Sequence, residues 1–228
     1  MLQGIEDELQ NMMDGEGSGA TIRRDMRLSM FPVREAHGLV WMWYGDGEPD
    51  EELPWFSDRI QDGDRSQATT TFEWEVSFSR LIEGMLDLHH LPFAHGKYMG
   101  GVGARLDPYV ASIEEGGKII RSKGTLRHEH ASPEKGFSGE LDLYFPGTLY
   151  LQLGGSIFGT VCMCPVSETR SWGYISYHQT ICTWPLVSRW LTRLLLWGEM
   201  RFIQVDDERM LLSTEPQEVE GVRDNKLV

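Results

Sequence analysis

What most constrains the fold is a series of short alternating segments between Tyr109 and Cys182, spaced too closely for anything to lie between neighbouring strands. Strand-like patterning runs over 109–114, 119–130, 139–145, 148–153, 157–164 and 172–182, with turn clusters such as Glu115-Gly116-Gly117 and Pro133-Glu134-Lys135-Gly136 between segments. Connections this short join antiparallel neighbours, because a parallel crossover needs a dozen or more residues. Pro185 then suits the first turn of a helix, and Leu191, Leu194, Leu195, Met200, Ile203, Leu211 and Leu212 run along a helix expected over 185–213. A curved antiparallel sheet must cover one face, and a long amphipathic helix does so. The expected class is α+β.

Ahead of the meander, Phe72, Trp74, Val76 and Phe78 alternate as a half-buried strand, which leads straight into Glu83-Gly84-Met85-Leu86-Asp87-Leu88-His89-His90-Leu91-Pro92-Phe93-Ala94-His95. Ser77 or Ser79 suits the cap of a helix that follows. On that helix Glu83, Asp87 and His90 fall on one side, and Leu81, Met85 and Leu88 on another. Pro92 disfavours a helical Leu91, so the chain is expected to kink or restart there and bring His95 round toward His90. Two imidazoles joined by one carboxylate, with coordination positions left open, form the facial triad of non-haem Fe(II) oxygenases, although the same atoms also suit zinc.

The run Asp87-Leu88-His89-His90-Leu91-Pro92-Phe93-Ala94-His95 resembles the Asp-x-x-His-x-x-x-x-His signature of the catalytic domain of Rieske-type non-haem iron oxygenases. The resemblance implies that His90 and His95 are iron ligands and that the Asp87 carboxylate hydrogen-bonds a ligand imidazole to fix its tautomer and bridges toward the Rieske cluster of a neighbouring subunit. His89 matches no ligand position, and Gly84 stands where many members carry Asn. Downstream, Val205-Asp206-Asp207-Glu208-Arg209-Met210-Leu211-Leu212 is similar to the family's acidic-Asp-x-x-apolar-apolar segment. Aligning Met210-Leu211 with the apolar pair selects Asp207 over Asp206 as third ligand. The implied architecture is the helix-grip fold, with a cavity between sheet and helix. The implied chemistry is O2-dependent hydroxylation, dihydroxylation or oxidative demethylation of an apolar or aromatic substrate at a mononuclear Fe(II).

Near the start, Arg27-Leu28-Ser29-Met30-Phe31-Pro32-Val33 and Gly38-Leu39-Val40-Trp41-Met42-Trp43-Tyr44-Gly45 read as two strands joined by a polar turn, and Phe31-Pro32-Val33 with Gly38-Leu39-Val40-Trp41-Met42-Trp43 resembles the segment where a Rieske domain hands over to the catalytic domain. Yet none of Cys162, Cys164 and Cys182 is followed by His at the Cys-x-His or Cys-x-x-His spacing that a Rieske [2Fe-2S] cluster requires. Residues 1–24 therefore read as a flexible lead-in, 25–63 as the tail of a Rieske-type domain with its connection, and 64–228 as the catalytic domain. The electrons are expected from an external [2Fe-2S] Rieske protein with its ferredoxin or reductase. The family resemblance also implies a homotrimer.

A formal net charge of −14 argues against nucleic acid as a partner. Three cysteines without framework spacing suit a reducing, cytoplasmic setting. The apolar run 186–197, broken by Arg189 and Arg193, is too short and too charged to span a bilayer, but its apolar face suits either the core or a membrane surface. Further candidates are His128 with His130 as a second metal pair on one strand face, and Cys162 with Cys164 as half of a soft-metal site. The Gly-rich stretch 98–103 suits either a plain loop or part of a substrate entrance. His37 and His178 suit ordinary structural roles. Three other readings fit the same residues: an apolar-ligand-binding module without redox chemistry, a zinc hydrolase with Glu83 or Asp87 as base, and an inactive fragment of a full oxygenase.

Overall fold

The computed structural model describes residues 30–36, 38–44, 49, 67–99 and 101–215, and the chain divides into two compact units, Met1–Leu53 and Pro54–Val228. The lead-in over 1–24, most of the connection up to Gly63, and His37 lie outside the described residues. In the first unit, β1 (Val33–Ala36) pairs antiparallel with β2 (Leu39–Met42). The hairpin is fastened by Trp41 Nε1, which donates to Ala36 O at 3.0 Å, and by Trp43 N, which donates to Pro32 O at 2.9 Å. The first strand thus starts at Val33, where the expected strand ends.

Among the described residues of the second unit seven strands form one antiparallel sheet: β3 (Ala68–Trp74), β4 (Arg105–Glu114), β5 (Ile119–Arg127), β6 (Phe137–Tyr144), β7 (Thr148–Leu153), β8 (Ile157–Ser167) and β9 (Arg170–Gln179). The order across the sheet is β3-β9-β8-β7-β6-β5-β4, so the meander from β4 to β9 is consecutive and only β3 joins from outside it. The alternation selects the buried face: Leu141 and Leu143 on β6, Leu149 and Leu151 on β7, and Val161 and Met163 on β8 are all buried. Leu81, Leu88, Leu196 and Leu211 from the helical segments complete the same core.

The histidine segment breaks earlier than expected. Helix α1 (Phe78–Leu86) starts after Ser77, which occupies the N-cap position without a side-chain capping bond, and it ends at Asp87, whose backbone is extended. A 3-10 turn (Leu88–His90) follows, and then a short helix α2 (Leu91–Ala94), in which Leu91 is itself helical and Pro92 sits in the first turn. Pro92 is tolerated in the first turn of α2, where its missing N–H has no helical partner to lose. Glu83 and His90 therefore do not share one continuous helix face.

After β9 the chain forms α3 (Pro185–Gly198), a π turn (Glu199–Ile203) and α4 (Gln204–Leu212). The single helix expected over this region is interrupted by that π turn. Gln179, at the end of β9, aligns α3: its Nε2 donates to Ser188 Oγ at 2.8 Å and to Cys182 O at 3.0 Å, while its Oε1 accepts from Cys182 N at 2.9 Å.

Candidate metal centre and cavity

Two histidines from one short segment and an aspartate distant in sequence meet in this unit. His90 closes the 3-10 turn, His95 caps α2, and Asp207 lies in the first turn of α4. Asp207 Oδ1 lies 2.8 Å from His95 Nε2 and 3.3 Å from His90 Nε2. The imidazole rings stand nearly perpendicular, with centroids 5.2 Å apart. One ligand atom from each residue falls within 4.8 Å of the others, and this is the one such His/Cys/Asp/Glu group among the described residues. Asp206 points elsewhere, to Arg209 at 3.7 Å.

Two close approaches hold the parts in place. Leu88 of the 3-10 turn lies against Gly139 on β6, where a Cβ would come within 2.5 Å of Leu88 Cδ2. Leu211 of α4 lies against Gly84 of α1, where a Cβ would come within 2.7 Å of Leu211 Cδ2. Gly84 thus lets the helix bearing Asp207 approach the helix that leads into His90.

The tautomer of His90 follows from its neighbour. Its Nδ1 contacts the backbone carbonyl of Asp87, and a carbonyl only accepts, so Nδ1 carries a proton and the neutral ring has its lone pair on Nε2, on the Asp207 side. The carboxylate of Asp87, expected to orient a ligand imidazole, instead accepts from His89 N at 2.8 Å, and the backbone oxygen does the orienting. Burial pulls the His90 imidazole toward neutrality, but the carboxylate of Asp207 and then Asp87 outweigh it and raise its pKa. Burial pushes the Asp207 carboxyl up, and the two imidazoles override that and hold it below its ordinary value. The cluster is thus a buried anion drawn toward two basic rings.

The chemistry of this set fits a divalent ion. His95 is fully buried, and its two ring nitrogens, like Asp207 Oδ1, have no hydrogen-bond partner among the described residues. Buried polar atoms of this kind are costly unless something else satisfies them.

The cluster sits on the wall of a cavity of about 420 Å³. Leu141, Leu149, Leu151, Val161 and Ile175 of the sheet line it, opposite residues of α3, the π turn and α4. Tyr98 and Met99 of the Gly-rich stretch also line it. Besides Tyr98, Asp87 and the three clustered side chains, its polar lining among the described residues consists of Tyr177, Glu199 and Gln204. Gln204 Nε2 donates to Glu199 Oε1 at 2.9 Å, and Tyr177 also hydrogen-bonds Glu199. Burial, with the charge of Asp207 next, raises the Glu199 carboxyl against those two bonds. Burial and then Glu199 push the Tyr177 phenol well above its ordinary range. Sequence reasoning missed this trio, although a lone acid within Leu194-Leu195-Leu196-Trp197-Gly198-Glu199-Met200 was a signal for it.

Other candidates separate. His128 and His130 lie beyond the end of β5, in and beside a turn, so they share no strand face, and His128 Nε2 contacts Gly101 O at 3.0 Å. The strand ends at Arg127, whose guanidinium is bonded to the Asp107 and Ala131 carbonyls. Burial pushes the Cys162 thiol up to about 11, which leaves it a protonated, weak ligand, while Cys164 is exposed. Glu83 pairs with Arg80 and is absent from the cavity wall. Among the described residues no helix is long and apolar enough to cross a membrane.

A buried His-His-carboxylate cluster at an apolar cavity, on a large antiparallel sheet with C-terminal helices, defines an α+β domain with a candidate mononuclear metal centre. Sequence and fold relate the chain to Rieske-type non-haem iron oxygenases, as the histidine segment implied. No family model matches it. It is 26% identical over 151 residues to the putative toluene-4-sulfonate monooxygenase system iron-sulfur subunit TsaM2 of Comamonas testosteroni, covering 59% of this chain and 42% of that protein. It is 38% identical over 72 residues to chlorophyllide a oxygenase of Chlamydomonas reinhardtii, covering 32% of this chain and 11% of that protein. The matched part thus spans less than half of either relative. Pseudomonas putida NdmB shares the fold with a TM-score of 0.61 at 15% identity, over 89% of this chain and 57% of that one. The quaternary ammonium Rieske monooxygenase CntA, solved with L-carnitine, shares it with a TM-score of 0.54 at 13% identity, over 79% of this chain and 49% of that one.

Proposed function

We propose that this chain is the catalytic part of an oxygenase, in a helix-grip arrangement, with His90, His95 and Asp207 holding a mononuclear Fe(II). The observation that supports this reading most is that buried nitrogens of His95 and Oδ1 of Asp207 lack hydrogen-bond partners among the described residues, at the wall of an apolar cavity. Bound there, Fe(II) supplies the reduction of O2 that oxidises the substrate. The chain's own residues do the rest. The Asp87 carbonyl fixes the His90 tautomer, so that Nε2 is the free donor atom. The leucine-rich wall excludes water and selects a small, largely apolar or aromatic substrate. The reaction is hydroxylation or oxidative demethylation. Electrons come from a [2Fe-2S] Rieske centre that residues 1–228 do not contain, and from its reductase, and the Asp87 carboxylate lies on their route.

The test is iron content after anaerobic reconstitution with Fe(II), on the wild type and on His90→Ala and Asp207→Ala. About one iron per chain, lost in both variants, is the expected result. A wild type that retains zinc and rejects iron, or that holds no stoichiometric metal, overturns the reading.

A further inference from the structure

Helix α3 wears its amphipathicity inside out. Toward the protein it buries Ser188, Thr192 and Leu196, two of them small and polar. Toward solvent it presents Leu186 at 83% exposure, Trp190 at 65%, Trp197 at 58% and Leu194 at 44%, with Trp184 at 72% just ahead of the first turn. At helical spacing Leu186, Trp190, Arg193 and Trp197 form one stripe, with Arg189 beside it. A helix of a water-facing surface shows the reverse pattern, so this stripe is built to be covered.

Charge decides what covers it. From Thr180 to Gly198 the only charged residues are Arg189 and Arg193, both exposed, in a chain whose net charge is −14. A two-fold contact with a second copy would set these arginines against their own images, which is unfavourable. An anionic phospholipid surface suits them: guanidinium groups reach the phosphates, while tryptophan and leucine enter the boundary between headgroups and acyl chains.

The stripe also runs into the cavity. Leu194, exposed beside the stripe, also lines the cavity, and Gly198 lines it one residue beyond Trp197. Trp197 packs edge-on against Phe202 with centroids 5.7 Å apart, and Phe202 lines the cavity beside Tyr98, 5.1 Å from it.

We propose that the exposed face of α3 docks on an anionic phospholipid bilayer, with Trp190 and Trp197 at the headgroup boundary, so that an apolar ligand passes from the lipid toward the cavity. This goes beyond the oxygenase reading and does not depend on iron. The test is flotation of the full chain with vesicles of phosphatidylcholine plus phosphatidylglycerol, and with phosphatidylcholine alone. The variants are Trp190→Ser/Trp197→Ser and Arg189→Glu/Arg193→Glu, with circular dichroism to confirm the fold. The wild type floats with the anionic vesicles at least about tenfold more strongly than with neutral ones, and each double variant loses about tenfold or more. Brominated lipid quenches the tryptophan emission of the wild type and has less effect on Trp190→Ser/Trp197→Ser. A wild type that stays with the unbound fraction overturns the proposal, as do variants that float equally well. A wild type that never floats but dissociates to monomers on Trp190→Ser/Trp197→Ser assigns the face to a second copy instead.

Discussion

Asp207 Oδ1 approaches His95 Nε2 to 2.8 Å, yet neither atom has a hydrogen-bond partner among the described residues. Two such atoms close together in a buried place satisfy each other poorly, and a cation between them and His90 would resolve this. Asp207→Asn keeps the size and loses the charge. The wild type should gain about 3–4 kcal/mol of stability from Fe(II) or Zn(II) at a hundred to a thousand times the dissociation constant, and chelator should remove the gain. Asp207→Asn should gain under about 1 kcal/mol. Thermal denaturation with and without metal measures both. Equal gains in the two proteins would sink the assignment of Asp207 as a ligand.

Gly84 and Leu211 make a second prediction, on packing. A Cβ at Gly84 would lie 2.7 Å from Leu211 Cδ2, and Leu211 is itself buried in the core. Gly84→Val should destabilise the fold by about 1–3 kcal/mol, even though glycine is the poorer helix former. Combined with Leu211→Ala, the loss should be smaller than the sum of the two single losses, because the truncated side chain vacates the space the new methyl groups need. Urea denaturation of the two single variants and the double variant reads the coupling. Strictly additive losses would mean that the two sites do not meet.

These two relationships show what could be read from the chain alone. The strand meander was legible because its alternation and short connections allow few topologies. His90 and His95 were legible because their spacing and Pro92 share one short segment. The choice of Asp207 over Asp206 came from an alignment of neighbouring apolar residues, and Asp207 is the one that meets the histidines. The break at Asp87 and the π turn at Glu199 were not legible, since both depend on what the helices pack against. The trio of Tyr177, Glu199 and Gln204 was hidden for a related reason: its members become neighbours only when β9 and the π turn face one cavity. The His128 and His130 pairing failed because Arg127 turns the chain there and ends β5 before either residue.

Arg127 also sets a pH dependence. Its guanidinium donates to Asp107 Oδ2, and this bond, opposed by a little burial and aided by Arg105 at 3.0 Å, lowers the Asp107 pKa below its ordinary value. A carboxyl lowered in the folded state stabilises the fold above its unfolded pKa, and that contribution is lost as pH falls through the folded pKa. The loss therefore lies in the acid range, below about pH 4. Carbon-13 titration of Asp107 by NMR should place it below a free aspartate. In Arg127→Met it should return toward the free value. An unchanged midpoint in Arg127→Met would refute Arg127 as the cause.

The last prediction concerns Glu199 and Tyr177, which face the cavity together. Tyr177 is 6% exposed and its phenol remains protonated, so it serves Glu199 as a fixed donor alongside Gln204. Tyr177→Phe removes one donor and leaves the acid less satisfied, which should destabilise the fold by about 1–3 kcal/mol. Glu199→Leu removes the buried acid itself, so the added loss from Tyr177→Phe in that background should fall by about 1 kcal/mol or more. The double-mutant cycle is measured by urea denaturation of the metal-free chain, which keeps it separate from ligand binding. A coupling near zero would mean that Glu199 and Tyr177 are neighbours without a bond, and that the acid is held by Gln204 alone.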